Sequence, residues 1–236
     1  MMKEEKVSVS SKFWLCSADC LCGTLSGLIT GGGMTYFYTK YLGLDEGLAS
    51  IVWMIFAVWN ALNDPLFGYI SDRTKSKLGR RIPYIRYGAL LYGVIFILSW
   101  FLWPLGGSQT ALFVQMLVSL FFFDTFYTAI ATSLYVLPYT MAESNQARSG
   151  IFVWKIFFTL LSLAAPLVLF PLVRPDVGES ASRFQTIMIM LGVVTTLVIF
   201  FSTFFYKEKY TSDAEEAPGL WESICQCFKN RAFLVY

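Results

Sequence analysis

Asp64 stands in the run Trp59-Asn60-Ala61-Leu62-Asn63-Asp64-Pro65, inside a mostly apolar stretch from Leu48 to Ile70. A carboxylate carried to membrane depth is costly, and where it occurs it marks an ion or solute pathway. Asn60 lies four residues before Asp64 and shares its helix face, with Asn63 alongside. Pro65 removes a backbone donor and frees carbonyl oxygens one turn back. Such a set of oxygen acceptors fits a bound cation. The plainer alternative is a buried acid hydrogen-bonded to its neighbours, with no part in turnover.

Three other charges lie in apolar surroundings. Asp124 falls near the middle of the run 110–140, out of reach of any interface, so it should face the bundle interior or a water-filled cavity. Lys155 sits near one end of the run 151–173. Directions of travel bring it to a depth similar to that of Asp64, so the two can pair; otherwise Lys155 snorkels to the headgroups. Asp19, early in the first run, reads as interfacial. Behind Asp64 comes the loop Asp72-Arg73-Thr74-Lys75-Ser76-Lys77-Leu78-Gly79-Arg80-Arg81. As a bare charge run it sets topology, and its Asp72 and arginines offer salt bridges for a cytosolic gate.

The elements that must hold these residues are membrane helices. The 236 residues are 56% hydrophobic and only 14% charged, too apolar for a soluble domain of this size. Six runs reach bilayer length, near 13–41, 48–70, 83–105, 110–140, 151–173 and 184–205. The expected fold is an all-α polytopic membrane protein, a six-helix transmembrane bundle at 13–205 after a cytosolic segment 1–12. A polar cytosolic linker at 206–219, an interfacial helix at 220–231 and the start of a truncated seventh span at 232–236 complete the reading, as though this were the front half of a larger protein. Of the 18 lysines and arginines, 14 fall on one side of these runs, and Lys40, Arg174 and Arg183 on the other. The positive-inside rule then places both termini in the cytosol. The basic residues report topology, so no nucleic-acid partner is expected.

No histidine is present, which excludes His-based catalysis, metal sites and proton relays. The five cysteines lack zinc spacing and read as free thiols. Without a nucleophile–base pair or metal cluster, an enzyme is not expected, nor a cofactor. Gly23, Gly27 and Gly31 recur every four residues in the first run. That stripe allows close helix approach, and a glycine-rich helix can also bend during gating.

The pattern Asn63-Asp64-Pro65-x-x-Gly68-x-x-x-Asp72-Arg73-Thr74-x-Ser76-x-x-Gly79-Arg80-Arg81-x-Pro83-Tyr84 resembles the signature of the glycoside-pentoside-hexuronide:cation symporters, the melibiose permease-like family of the major facilitator superfamily. Weaker likeness lies in Tyr36-Phe37-Tyr38-Thr39, Pro138 with Met141-Ala142-Glu143, and Lys229-Asn230-Arg231. The resemblance covers the whole chain but only the front six of the family's usual twelve helices. It implies that Asp64 takes the place of a cation-site carboxylate, Asn63 of the neighbouring asparagine and Thr128 of a fourth-helix threonine. Lys155 falls where the family carries a basic residue. Three positions depart: Asn60 stands for the second cation-site acid, Thr24 for a first-helix sugar-binding acid and Ala131 for a fourth-helix one. With one carboxylate lost, the resemblance favours a proton over sodium.

The expectation is a secondary transporter half that couples a small polar, sugar-like solute to a proton or cation, in the plasma membrane. Asp64, Asn60, Asn63 and Thr128 would bind the coupling ion. Asp124, two turns before Ala131, would line the solute path with Lys155 and Thr24. Asp72, Arg73, Gly79, Arg80 and Arg81 would form the cytosolic gate. The implied partners are the solute, the cation, the lipid bilayer and a second six-helix half or a dimer mate. Alternatives are a non-transporting scaffold or regulatory half-protein, and a transporter of lipid-like substrate.

Overall fold

In the computed structural model, residues 6–175 and 180–208 are described. The expected interfacial helix and seventh span, and most of the linker, lie outside them.

Helix α1, Val9–Thr30, begins where the Ser8 side chain accepts a hydrogen bond from the Ser11 N–H. That cap starts the helix four residues earlier than the apolar pattern predicts. The first run is not one continuous helix. Gly32 adopts φ +96°, a conformation open to glycine, and breaks it. The chain resumes as α2, Gly33–Tyr36, and continues into a π-helical turn, Phe37–Tyr41.

Helix α3, Glu46–Arg73, is capped by Asp45 and carries Pro65 within it. Helix α4, Ile82–Leu98, is 17 residues long and stops well short of residue 105. Beyond it the backbone finds other partners: Gln115 Nε2 donates to the Phe101 carbonyl and Gln115 Oε1 accepts from the Trp103 N–H. The chain then forms α5, Gln109–Met141; α6, Asn145–Val173; and α7, Ser182–Ser202. Among the described residues there are no strands.

Among the described residues, five segments are long and apolar enough to cross a bilayer, with Val9–Tyr41 counted as one. Helix α4 is the shorter sixth, and at about 1.5 Å per residue it sits at the lower limit for a span.

Helices α1, α4 and α5 form the middle. Helix α1 packs on α6, α7 and α5; α4 packs on α5 and α7; α3 leans on α5. Helices α3 and α6 therefore flank the bundle and expose large apolar residues such as Met54, Leu62, Phe157 and Leu167. The α1–α6 contact is close because the glycine stripe faces it. A methyl on Gly23 would lie 2.5 Å from Ser162 Oγ, and one on Gly27 2.6 Å from Pro166 Cγ. At the end holding the π-helical turn, Phe37, Trp100 and Phe184 pack as a buried aromatic knot.

Candidate functional site

A cavity of about 800 Å³ opens among α1, α3, α5 and α6, lined in part by Asp19, Asp64, Tyr127, Thr128, Thr132 and Lys155. Helices α3 and α5 run side by side, and three rungs set their register. Trp59 stacks on Phe121 with ring centroids 5.1 Å apart. Asn63 Nδ2 donates to Asp124 Oδ2 at 2.8 Å. Thr128 Oγ1 donates to Asp64 Oδ1 at 3.1 Å.

The register sends two neighbouring residues to different places, because successive side chains diverge by about 100° on a helix. Asp64 meets the cavity with Thr128 beside it. Asn63 turns into the α3–α5 seam and binds Asp124, so it does not surround Asp64 as its proximity in sequence predicts. Asn60 is half-buried and lies outside the cavity lining. Asp124 does face the bundle interior, but only 5% of it is exposed and it is absent from the cavity wall. It sits behind the wall and not on it.

The pairing of Lys155 with Asp64 is also replaced. Lys155 Nζ lies 3.2 Å from Asp19 Oδ2, makes a 3.4 Å hydrogen bond to the Leu134 carbonyl and sits 5.8 Å from the Tyr135 ring centre. The glycine-lined approach of α1 to α6 puts Asp19 nearer to this lysine than α3 does. Asp19 thus lines the cavity. It also borders a second cavity of about 330 Å³, where Gly23, Ser26, Thr30, Thr159 and Ser162 contribute. Thr24 lines neither cavity. It is buried, and its hydroxyl donates to the Cys20 carbonyl of its own helix.

At the basic end, Arg81 Nη2 and Asp72 Oδ1 form a 2.7 Å ion pair within the loop, and Arg73 stacks over Tyr69. A further tie comes from outside the loop. Glu208, beyond α7, accepts from the backbone N–H groups of Arg80, Arg81 and Ile82 at 3.0, 2.8 and 3.1 Å. A carboxylate there satisfies one orphan donor of α4, the Ile82 N–H, together with the two amides that lead into the helix, and is favoured by the helix dipole. Gly79 leaves room for it: a side chain at that position would strike the carboxylate, and its φ of +106° excludes most residues anyway.

Two residues of this arrangement escape sequence reasoning. Asp19 gave a signal, since it is the one acid in α1, placed among Cys, Ala and Leu. Glu208 gave none, because its partners lie more than 120 residues away in sequence.

The chain's similarities now bear on this geometry. It is 26% identical over 188 residues to YagG of Escherichia coli (strain K12), which is named as a glycoside/cation symporter; the match covers 79% of this chain and 40% of that protein. It is 24% identical over 233 residues to the inner membrane symporter YicJ of the same organism, covering 94% and 49%. It is 28% identical over 170 residues to the sodium-dependent lysophosphatidylcholine symporter 1 of Mus musculus, covering 67% and 30%. The chain spans half or less of the length of these relatives. The family described as MFS/sugar transport protein matches residues 23–236. An apolar helical bundle with an acid-bearing internal cavity, matched over nearly its whole length, therefore belongs to the MFS/sugar transport protein family.

Proposed function

We propose that this chain is the N-terminal half of a cation-coupled symporter for a small polar, sugar-like solute, with Asp64 as the coupling carboxylate. One observation carries the reading. Asp64 lies on the wall of the large cavity with a neutral hydroxyl beside it, whereas the cation sharing that wall, Lys155, is held by Asp19. An acid so placed can take up a mobile positive ion from the cavity. Thr128 orients it. Lys155 and Asp19 present opposite charges across α1 and α6, able to grip a solute rich in hydroxyl groups. In relatives of this architecture the binding site lies at midplane between two repeats that rock against each other, so the cavity described here is one wall of the complete site. The basic end, with its loop at residues 72–81, faces the cytosol by the positive-inside rule, and the two termini with it. A proton is the favoured coupling ion.

A second reading, an amphiphilic lipid-like solute, is favoured by the apolar cavity wall at Tyr135, Val136, Phe152, Ile156 and Leu160. The name of the mouse relative adds to it.

The test is Asp64→Asn in the full-length transporter. Accumulation of solute against its gradient is expected to fall to background, while downhill exchange of solute across the membrane survives. Undiminished accumulation by the variant overturns the assignment.

A further inference from the structure

Behind the cavity wall, between α3 and α5, lies a polar pair that the coupling reading leaves unused. Asp124 is 5% exposed and Asn63 1%. Asn63 Nδ2 donates to Asp124 Oδ2, while Asn63 Oδ1 on the same amide is buried without a partner among the described residues. Asp124 has no ion-pair partner among the described residues.

With Asp124 ionised, the pair carries two costs at once. A buried charge is met by a neutral donor, and a buried acceptor is stranded. A water at Asn63 Oδ1 would remove the second cost and leave the first. One proton on Asp124 removes both. The carboxyl becomes neutral, its new O–H donates to Asn63 Oδ1, and Asn63 Nδ2 keeps donating to the other oxygen. Acid and amide then lie side by side joined by two hydrogen bonds, with every polar atom of the amide head satisfied.

We propose that Asp124 and Asn63 form a proton-binding pair, set one rung from Asp64 along the α3–α5 seam and loaded during the transport cycle. Its use in that cycle rests on the coupled-transport reading above; its capacity to hold a proton does not. Loading forms one O–H bond on Asp124 and changes its charge from −1 to 0, the proton arriving from cavity water or from Asp64. The ionisable groups that interact with it are Asp64 on α3 and Tyr127 on α5; Tyr127 in turn neighbours Tyr92 on α4 and Cys22 and Asp19 on α1, and Lys155 on α6 is held by Asp19.

Infrared difference spectroscopy of the full-length transporter in membranes tests the assignment. A protonated-carboxyl carbonyl band that shifts in heavy water is expected to persist above about pH 6, where exposed aspartates have ionised. It should remain in Asp64→Asn, vanish in Asp124→Asn and change frequency in Asn63→Leu. A wild-type protein without the band, or Asp124→Asn retaining it, overturns the proposal.

Asp124→Asn keeps the side-chain shape and can still bond to Asn63, so a merely structural role predicts no change in pH profile. The proposal predicts that the pH dependence of accumulation weakens by about tenfold at unchanged solute affinity. Loss of solute affinity with an intact pH profile would instead return Asp124 to the solute path and refute the pair. If Asp64→Asn accumulates normally, the Asp64 assignment fails while the infrared band still decides this one.

Discussion

Two helix seams hold the charged residues that line or back the large cavity, and they treat charge in opposite ways. In the α1–α6 seam the acid meets a base: Asp19 and Lys155 lie 3.2 Å apart. In the α3–α5 seam both acids meet neutral donors, Thr128 for Asp64 and Asn63 for Asp124. A paired acid and base carry no net charge, so this seam needs no mobile ion to balance it, and the Leu134 carbonyl adds a further acceptor for Lys155. Unpaired acids need a positive ion from outside, or a proton. The contrast separates a seam complete in itself from one built to be loaded, and it divides solute from coupling ion before either has been identified.

The complete seam should be the more sensitive to disruption. Gly27→Leu would push a side chain into Pro166, whose ring has nowhere to go, since even a lone Cβ would sit 2.6 Å from its Cγ. Overpacking of this kind costs about 1–3 kcal/mol or more, and here it also parts Asp19 from Lys155. Yield of folded protein and transport are both expected to collapse, with Gly27→Ala intermediate. A thermal midpoint unchanged in Gly27→Leu would show that the two helices are not in close contact.

Next in size is the ion pair itself. Lys155→Met leaves Asp19 facing the cavity alone, a loss of about 2 kcal/mol once its partial exposure is allowed for. The double variant Asp19→Asn with Lys155→Met removes both charges and should regain most of that thermal stability while solute affinity stays low. If the double variant is as unstable as the sum of the singles, the pair contributes no coupling energy and the contrast between the seams fails.

How far the sequence led follows from what each feature depends on. Helix number and type, and the membrane environment, were legible because long apolar runs state them directly. The register of α3 on α5 was reachable only through the resemblance that placed Thr128 near Asp64. Asn63 misled because adjacency in sequence looks like adjacency in space, whereas a helix turns neighbours apart. Lys155 was matched to the wrong acid because depth alone does not say which helix lies alongside; the glycine stripe that selects α1 was visible, yet its partner was not. The ends of α1 and α4 were missed for local reasons, a serine cap at Ser8 and the side chain of Gln115 taking over backbone groups.

The smallest change belongs to the seam left open for loading. Thr128→Val replaces a hydroxyl by a methyl of nearly the same size, at a residue that is 3% exposed, so packing should be preserved. The variant removes the hydrogen bond from Thr128 that fixes Asp64 on the cavity wall. A bond of that kind is worth about 1 kcal/mol, which corresponds to about a fivefold weaker apparent affinity for the coupling ion. Thr128→Ser restores the donor and should restore the affinity. Solute affinity, set on the α1–α6 side, is expected to stay constant in both variants. Were solute affinity to fall in step with ion affinity in Thr128→Val and recover with it in Thr128→Ser, the two seams would be one site, and the division drawn between them would have to be abandoned.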